Sequence, residues 1–149
     1  MSNKINFEGI EDTYFFIGQI TAFANRLQTV GDSFFEEISW KQCFLLICIK
    51  MFEVPPTINE LSDTVGTSHQ NVKQMLIKLE RAGFIQFVVD EKDKRKQRIV
   101  MTEKSHEFDN AHVKPSKQFM KQLFEDIDLK KLRITVETLM QLDKNLKRM

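Results

Sequence analysis

Residues 57–102 read T-I-N-E-L-S-D-T-V-G-T-S-H-Q-N-V-K-Q-M-L-I-K-L-E-R-A-G-F-I-Q-F-V-V-D-E-K-D-K-R-K-Q-R-I-V-M-T, and the order of signals in this stretch decides the fold. Thr57 to Glu60 is a T-x-x-E capping box, the reciprocal arrangement that opens a helix. Leu61 to Val65 continue it, and Gly66 stops it. Thr67-Ser68 then caps a second helix with Val72, Met75, Leu76 and Leu79 on its inner face, and Gly83 suits the position just past its end. Helix, short turn containing Gly, helix is the helix-turn-helix order. Directly after Gly83 the apolar period shortens to two: Ile85, Phe87 and Val89 alternate, and Arg98 to Thr102 alternates again through Ile99 and Met101. The polar run 90–97 between them makes this a β-hairpin with a charged tip, so the stretch predicts a winged helix-turn-helix.

The flanks are helical on the same criteria. Residues 1–12 are a polar lead-in. From Thr13 to Val30, Phe16, Ile20, Phe23, Leu27 and Val30 recur at intervals of four and three, a single stripe, with Gly31-Asp32 expected to end the helix. Ser39 caps a strongly apolar stretch that reaches Phe52, and Pro55-Pro56 breaks the chain before the capping box. Glu103 to Ile127 reads as a helix with Pro115 as a kink or break. Asp128 caps a last helix with Leu129, Leu132, Val136, Leu139 and Leu142 or Leu146 along one side. The expected fold is mainly α with a small β-hairpin wing: an N-terminal dimerisation helix in 1–36, a winged helix-turn-helix in 37–104 and C-terminal dimerisation helices in 105–149. Broad apolar stripes on terminal helices fit burial against a second copy, and a twofold homodimer is the expected state.

The net charge of +1 is unevenly spread. Residues 1–65 carry −5, residues 66–105 carry +4 and residues 106–149 carry +2. The densest basic piece, Lys92 to Arg98, holds five cations and one Asp, which suits a polyanion. With 42% apolar and 29% charged residues the chain is a folded globular type, not a disordered or collagen-like one. Its longest apolar run, Cys43 to Ile49, is far too short for a membrane span, no secretory signal precedes it, and two cysteines make no disulfide framework. A cytoplasmic protein with no membrane partner is expected. Cys43 and Cys48 stand five apart on one helix and cannot bridge each other.

The second helix of a helix-turn-helix places its first turns against base edges in the major groove. Thr67, Ser68, His69, Gln70 and Asn71 open that helix here, followed outward by Lys73, Gln74 and Lys78, with no carboxylate before Glu80. Gln and Asn amides pair bidentately with adenine, and Lys prefers guanine or phosphate. Ser68 has capping as its first task, with phosphate contact a second use of the same helix end. On the wing, Lys94, Arg95, Lys96 and Arg98 supply charge, and Arg95 near the tip can enter a narrow minor groove. Asp93 fits a wing-orienting role, pairing with Arg95 or Arg98 to fix a guanidinium. Double-stranded DNA is the expected partner.

These residues, in this order, resemble the MarR family of bacterial winged-helix transcriptional regulators. The match runs from Ile38 to Lys104. It is carried by I-S-W-K-Q-C-F-L-L, by the helix-turn-helix quoted above, by the D-x-R of Asp93 and Arg95, and by Thr102-Glu103-Lys104 at the start of the fifth helix. The family often has Gly after T-E-K, where this chain has Ser105. The resemblance implies a homodimeric, nucleoid-associated regulator, most simply a repressor, on a pseudo-palindromic operator. It also implies that a small phenolic or otherwise lipophilic effector binds between the dimer helices and the DNA-binding lobe. Phe16, Phe23, Trp40 and Phe44 are the pocket candidates.

Two other readings stand beside this one. A winged-helix module that binds protein and does not read DNA is disfavoured by the basic wing. A redox-responsive regulator would use Cys43. An enzyme is not expected: there is no HExxH, GxSxG, phosphate loop or CxxC, and the three His lack ligand-like spacing. Neither a metal nor a cofactor is expected.

Overall fold

The computed structural model describes residues 5–149, so the first four residues of the lead-in lie outside it. The elements run α1 (Asp12–Phe34), α2 (Trp40–Lys50), α3 (Ile58–Val65), α4 (His69–Arg81), β1 (Ile85–Val89), β2 (Gln97–Met101), α5 (Glu103–Leu123) and α6 (Leu129–Leu146). The chain divides into two compact units, Met1–His106 and Glu107–Met149. Among the described residues no helix is long and apolar enough to cross a membrane.

The first unit is built around the helix-turn-helix. Ser39 and Gln42 cap α2 reciprocally: Gln42 N–H donates to Ser39 Oγ at 3.2 Å and Ser39 N–H donates to Gln42 Oε1 at 2.8 Å. Thr57 and Glu60 do the same for α3 at 3.3 and 2.7 Å. Gly66 ends α3 at φ +73°, a left-handed conformation costly to any other residue. Leu45, Leu46 and Ile49 of α2, Leu61 of α3, and Val72, Leu76 and Leu79 of α4 meet Phe84, Ile85 and Ile99 in one core, none more than 5% exposed. Each such side chain contributes roughly 1.5–3 kcal/mol by leaving water. The two strands pair antiparallel, Ile85 opposite Met101 and Val89 opposite Gln97, so β2 begins one residue before the sequence pattern indicates.

The start of α5 closes the end of α4. Ser105, fully buried, donates its hydroxyl to Phe84 O, and Thr102 Oγ1 donates to Gly83 O. Lys104 Nζ donates to Ala82 O at 2.9 Å, pairs with Glu37 and lies 4.5 Å over the Phe84 ring. Ser105 is thus a second hydrogen-bond donor, beside the Thr102 N–H, to the Phe84 carbonyl.

Three expectations are corrected. Helix α1 does not end at Gly31-Asp32 but runs to Phe34. Gly31 is a point of close approach: a Cβ there would lie 2.2 Å from Trp40 Cε3. Asp32 accepts the N–H of Trp40 at 2.7 Å, so the pair joins α1 to the start of α2. Helix α5 passes through Pro115 without a break and stops at Leu123 instead of Ile127. The lead-in is partly organised, with Phe7 packed edge-on against Phe15 at 5.1 Å.

In the second unit, α6 is capped as expected, Asp128 accepting the N–H groups of Lys130 and Lys131 at 2.7 and 3.3 Å. No residue of α6 is buried.

Candidate nucleic-acid interface

Helix α4 has two chemically distinct sides. Val72, Leu76 and Leu79 point into the core, fully buried, and at 100° per residue this turns the intervening positions outward. His69, Gln70, Asn71, Lys73, Gln74 and Lys78 are all exposed. Ser68 Oγ accepts Asn71 N–H at 3.2 Å and so caps the helix. Asn71 Nδ2 donates to Thr67 Oγ1 at 3.3 Å, which fixes the plane of that amide. The exposed side therefore presents amides and an imidazole at the positive end of the helix, Lys73 one turn further on and Lys78 in the last turn.

The wing tip is a network of turns. Asp90 N–H donates to Lys96 O at 3.0 Å, and Lys96 N–H donates to Asp93 O at 2.8 Å. Asp90 Oδ1 accepts the N–H groups of Lys92 and Asp93 at 2.8 and 2.7 Å. Asp93 Oδ1 accepts both the backbone N–H and the Nε–H of Arg95, at 3.1 and 3.2 Å. Of the two pairings left open by the sequence, Asp93 takes Arg95. The Arg95 guanidinium bonded to it holds the Asp93 carboxyl below its ordinary range, and the Arg95 side chain remains 92% exposed. Lys94 and Lys96 are exposed beside it.

Arg98 departs from the expectation that it faces outward with the other wing cations. Its side chain is 22% exposed and turned onto the protein. Nε bonds Asp90 Oδ2 at 2.5 Å, and Nη1 donates to Pro55 O at 2.9 Å and reaches Glu60 Oε2 at 3.4 Å. Arg98 brings the Asp90 carboxyl down to about 2. Glu60 is also lowered, first by the N–H and hydroxyl of Thr57 in the capping box. Sequence reading missed Asp90, Glu60 and Pro55 as partners of Arg98, because the contacts span 8, 38 and 43 residues.

Two hollows flank α4. A polar groove of about 420 Å³ is lined by Thr57, Asn59 and Glu60 at the start of α3, His69 at the start of α4, and Arg95, Lys96 and Arg98 of the wing. It puts the first residue of α4 and the wing arginine on one surface. On the other side a cavity of about 630 Å³ lies among α1, α2 and α4, lined by Leu27, Trp40, Lys41, Phe44, Asn71, Gln74, Met75 and Lys78 among others. Trp40 and Phe44 line it. Phe16 and Phe23 do not: they lie earlier on α1, which reaches the cavity from Ala24 to Gln28. Asn71, Gln74 and Lys78 of α4 line it, which the aromatic pattern could not indicate.

Cys48 is buried, which pushes its thiol up, and Cys43 is half-buried; neither forms a disulfide. Among the described residues no group of three or more His, Cys, Asp or Glu could hold a metal ion. His112 Nδ1 is bound to Phe108 O at 2.8 Å.

No protein-family model and no curated protein matches the sequence. Solved structures do match. A MarR protein from Peptoclostridium difficile superposes with a TM-score of 0.82 at 16% identity, over 99% of this chain and 96% of that one. A MarR/EmrR family transcriptional regulator from Acinetobacter gives 0.82 at 20% identity, over 94% and 100%. MepR of S. aureus, in its complex with DNA, gives 0.75 at 18% identity, over 91% and 99%. Six helices and a two-stranded wing in this order, matched over nearly whole chains, give the protein the fold of the MarR-family transcriptional regulators.

Proposed function

We propose that the protein is a sequence-specific DNA-binding transcriptional regulator that acts as a homodimer on a pseudo-palindromic operator, most simply as a repressor in the bacterial cytoplasm. One observation carries this reading: His69, which opens an exposed face of α4 free of carboxylates before Glu80, shares a groove with Arg95 of the wing. That pairing lets one lobe read a major groove and insert a cation into the adjacent minor groove. The DNA complex of MepR, a structure of the same fold, supports it. Two lobes would address half-sites about 34–36 Å apart, one turn of DNA.

The α1–α2–α4 cavity supports the further reading that a small lipophilic molecule lowers DNA affinity. Asn71, Gln74 and Lys78 belong both to the cavity wall and to the exposed side of α4. An occupant would act through any difference in its affinity for the DNA-competent and incompetent positions of that helix.

The test is gel-shift titration of promoter fragments from the protein's own genome across a salt series. Wild type should bind with affinity falling steeply as salt rises. Lys73→Ala with Arg95→Ala should weaken binding, flatten the dependence of log K on log salt by about one to two units, and leave the oligomeric state unchanged. Salt-insensitive binding, or none to any fragment, would refute the reading.

A further inference from the structure

The wing has an anchoring problem. A two-stranded hairpin is marginal by itself in water, and only the inner half of this one is held by the core. Ile85 and Ile99 are buried, but further out Val88 and Val89 are 38% and 59% exposed. Nothing apolar therefore fixes the outer half, where Arg95 sits. The contacts that do reach it are polar, ion pairs and hydrogen bonds that run in sequence. Pro55 O and Glu60, at the entrance to α3, hold Arg98 Nη1. The Nε of Arg98 crosses the hairpin to Asp90 Oδ2. The other oxygen of Asp90 takes the N–H of Asp93, and Asp93 takes the N–H and Nε–H of Arg95. Below this chain, Ile99 N–H donates to Pro56 O at 2.9 Å and pins the strand to the same loop.

We infer that Arg98 and Asp90 are positioning residues that latch the wing to the N-terminus of α3 and so aim Arg95 at DNA, without touching DNA themselves. The inference rests on the proposed DNA-binding function and refines the wing's part in it. The chemistry suits the task. Arg98 offers a rigid planar fork that can hold a carboxylate and a carbonyl at once. Asp90 spends one oxygen on the guanidinium and the other on the turn that begins the tip. A flexible Lys at 98 could not serve both partners in one geometry.

The experiment is a double-mutant cycle on promoter DNA, using Arg98→Gln and Asp90→Asn, each with and without Arg95→Ala. Asp90→Asn keeps an oxygen for the turn and replaces the charged acceptor of the Arg98 Nε–H with an NH2 donor. Each single variant should weaken binding about tenfold, and in the Arg95→Ala background the same changes should cost less than about twofold, because the group they aim is gone. Equal losses in both backgrounds would mean that Arg98 contacts DNA directly, and the inference would fall. So would an absence of any loss in the single variants. Amide hydrogen exchange without DNA supplies the second readout. In Arg98→Gln the Asp93 and Lys96 amides should exchange faster while those of α4 keep their protection. Unchanged exchange at the tip overturns the latch, even if wild type binds no DNA and the functional reading has failed by itself. Faster exchange throughout α4 would assign Arg98 to general stability and also overturn it.

Discussion

Gly31 and Trp40 show how much one missing atom can decide. The glycine sits inside α1, where it lowers helix propensity by about 1 kcal/mol relative to Ala, yet the helix continues past it. What it provides is space: the indole of Trp40 occupies the volume a methyl group would take. That ring in turn stacks on Phe35, centroids 6.2 Å apart, and forms part of the cavity wall. Gly31→Ala should therefore destabilise the protein by about 1–3 kcal/mol, the usual cost of overpacking, despite its better helix propensity. Urea unfolding followed by the fluorescence of Trp40, the chain's one tryptophan, measures both the loss and the altered setting of the ring. A variant as stable as wild type would show that the indole can move aside at no cost.

At the scale of the element, caps and breakers act very differently here. The caps at Ser39, Thr57, Ser68 and Asp128 each hold a helix start through local hydrogen bonds, and each helix begins where its cap stands. Pro115 is a local signal that does not prevail. It lacks the N–H that would satisfy Ala111 O and sits exposed in mid-helix, but α5 runs on to Leu123. Interior proline costs up to about 3 kcal/mol relative to alanine, so the apolar residues on either side of it must outweigh that penalty. Pro115→Ala should raise the midpoint of thermal unfolding, scanned by circular dichroism at 222 nm. A lower midpoint would mean that packing requires the bend the proline imposes.

At the scale of the molecule, the terminal helices carry more apolar surface than the chain covers. On α1, Phe23 and Val30 are about half exposed, at 50% and 51%. On α6, Val136 and Leu139 are 46% and 39% exposed and Leu146 is 69% exposed. Apolar stripes of this kind mark association surfaces, which fits the proposed homodimer. Val136→Glu with Leu139→Glu should shift the sedimenting species from dimer to monomer. It should also lower operator affinity by about a hundredfold or more, since two half-sites would no longer be engaged together. A double variant that remains dimeric would move the interface away from this stripe.

The helix starts, the Gly66 turn and the hairpin were legible in the sequence because each rests on interactions within a few residues: a cap with its third neighbour, a glycine with its own φ, a strand with its period of two. The outward face of α4 was legible for the same reason, since helical geometry turns residues 70, 71, 73 and 74 away from Val72 and Leu76. The role of Arg98 was not. In the run K-D-K-R-K-Q-R it looks like any other cation, and its partners lie in a loop and a helix cap that only folding brings near. Gly31 likewise reads as a stop until Trp40 is seen against it, and the cavity wall shared by Leu27 of α1, Trp40 and Phe44 of α2, and α4 belongs to three separate elements. Local physics, written residue by residue, thus specified the elements and the chemistry they display. Which charges face outward and which are held by the protein was decided by long-range packing, because a side chain's partner is set by where distant segments meet.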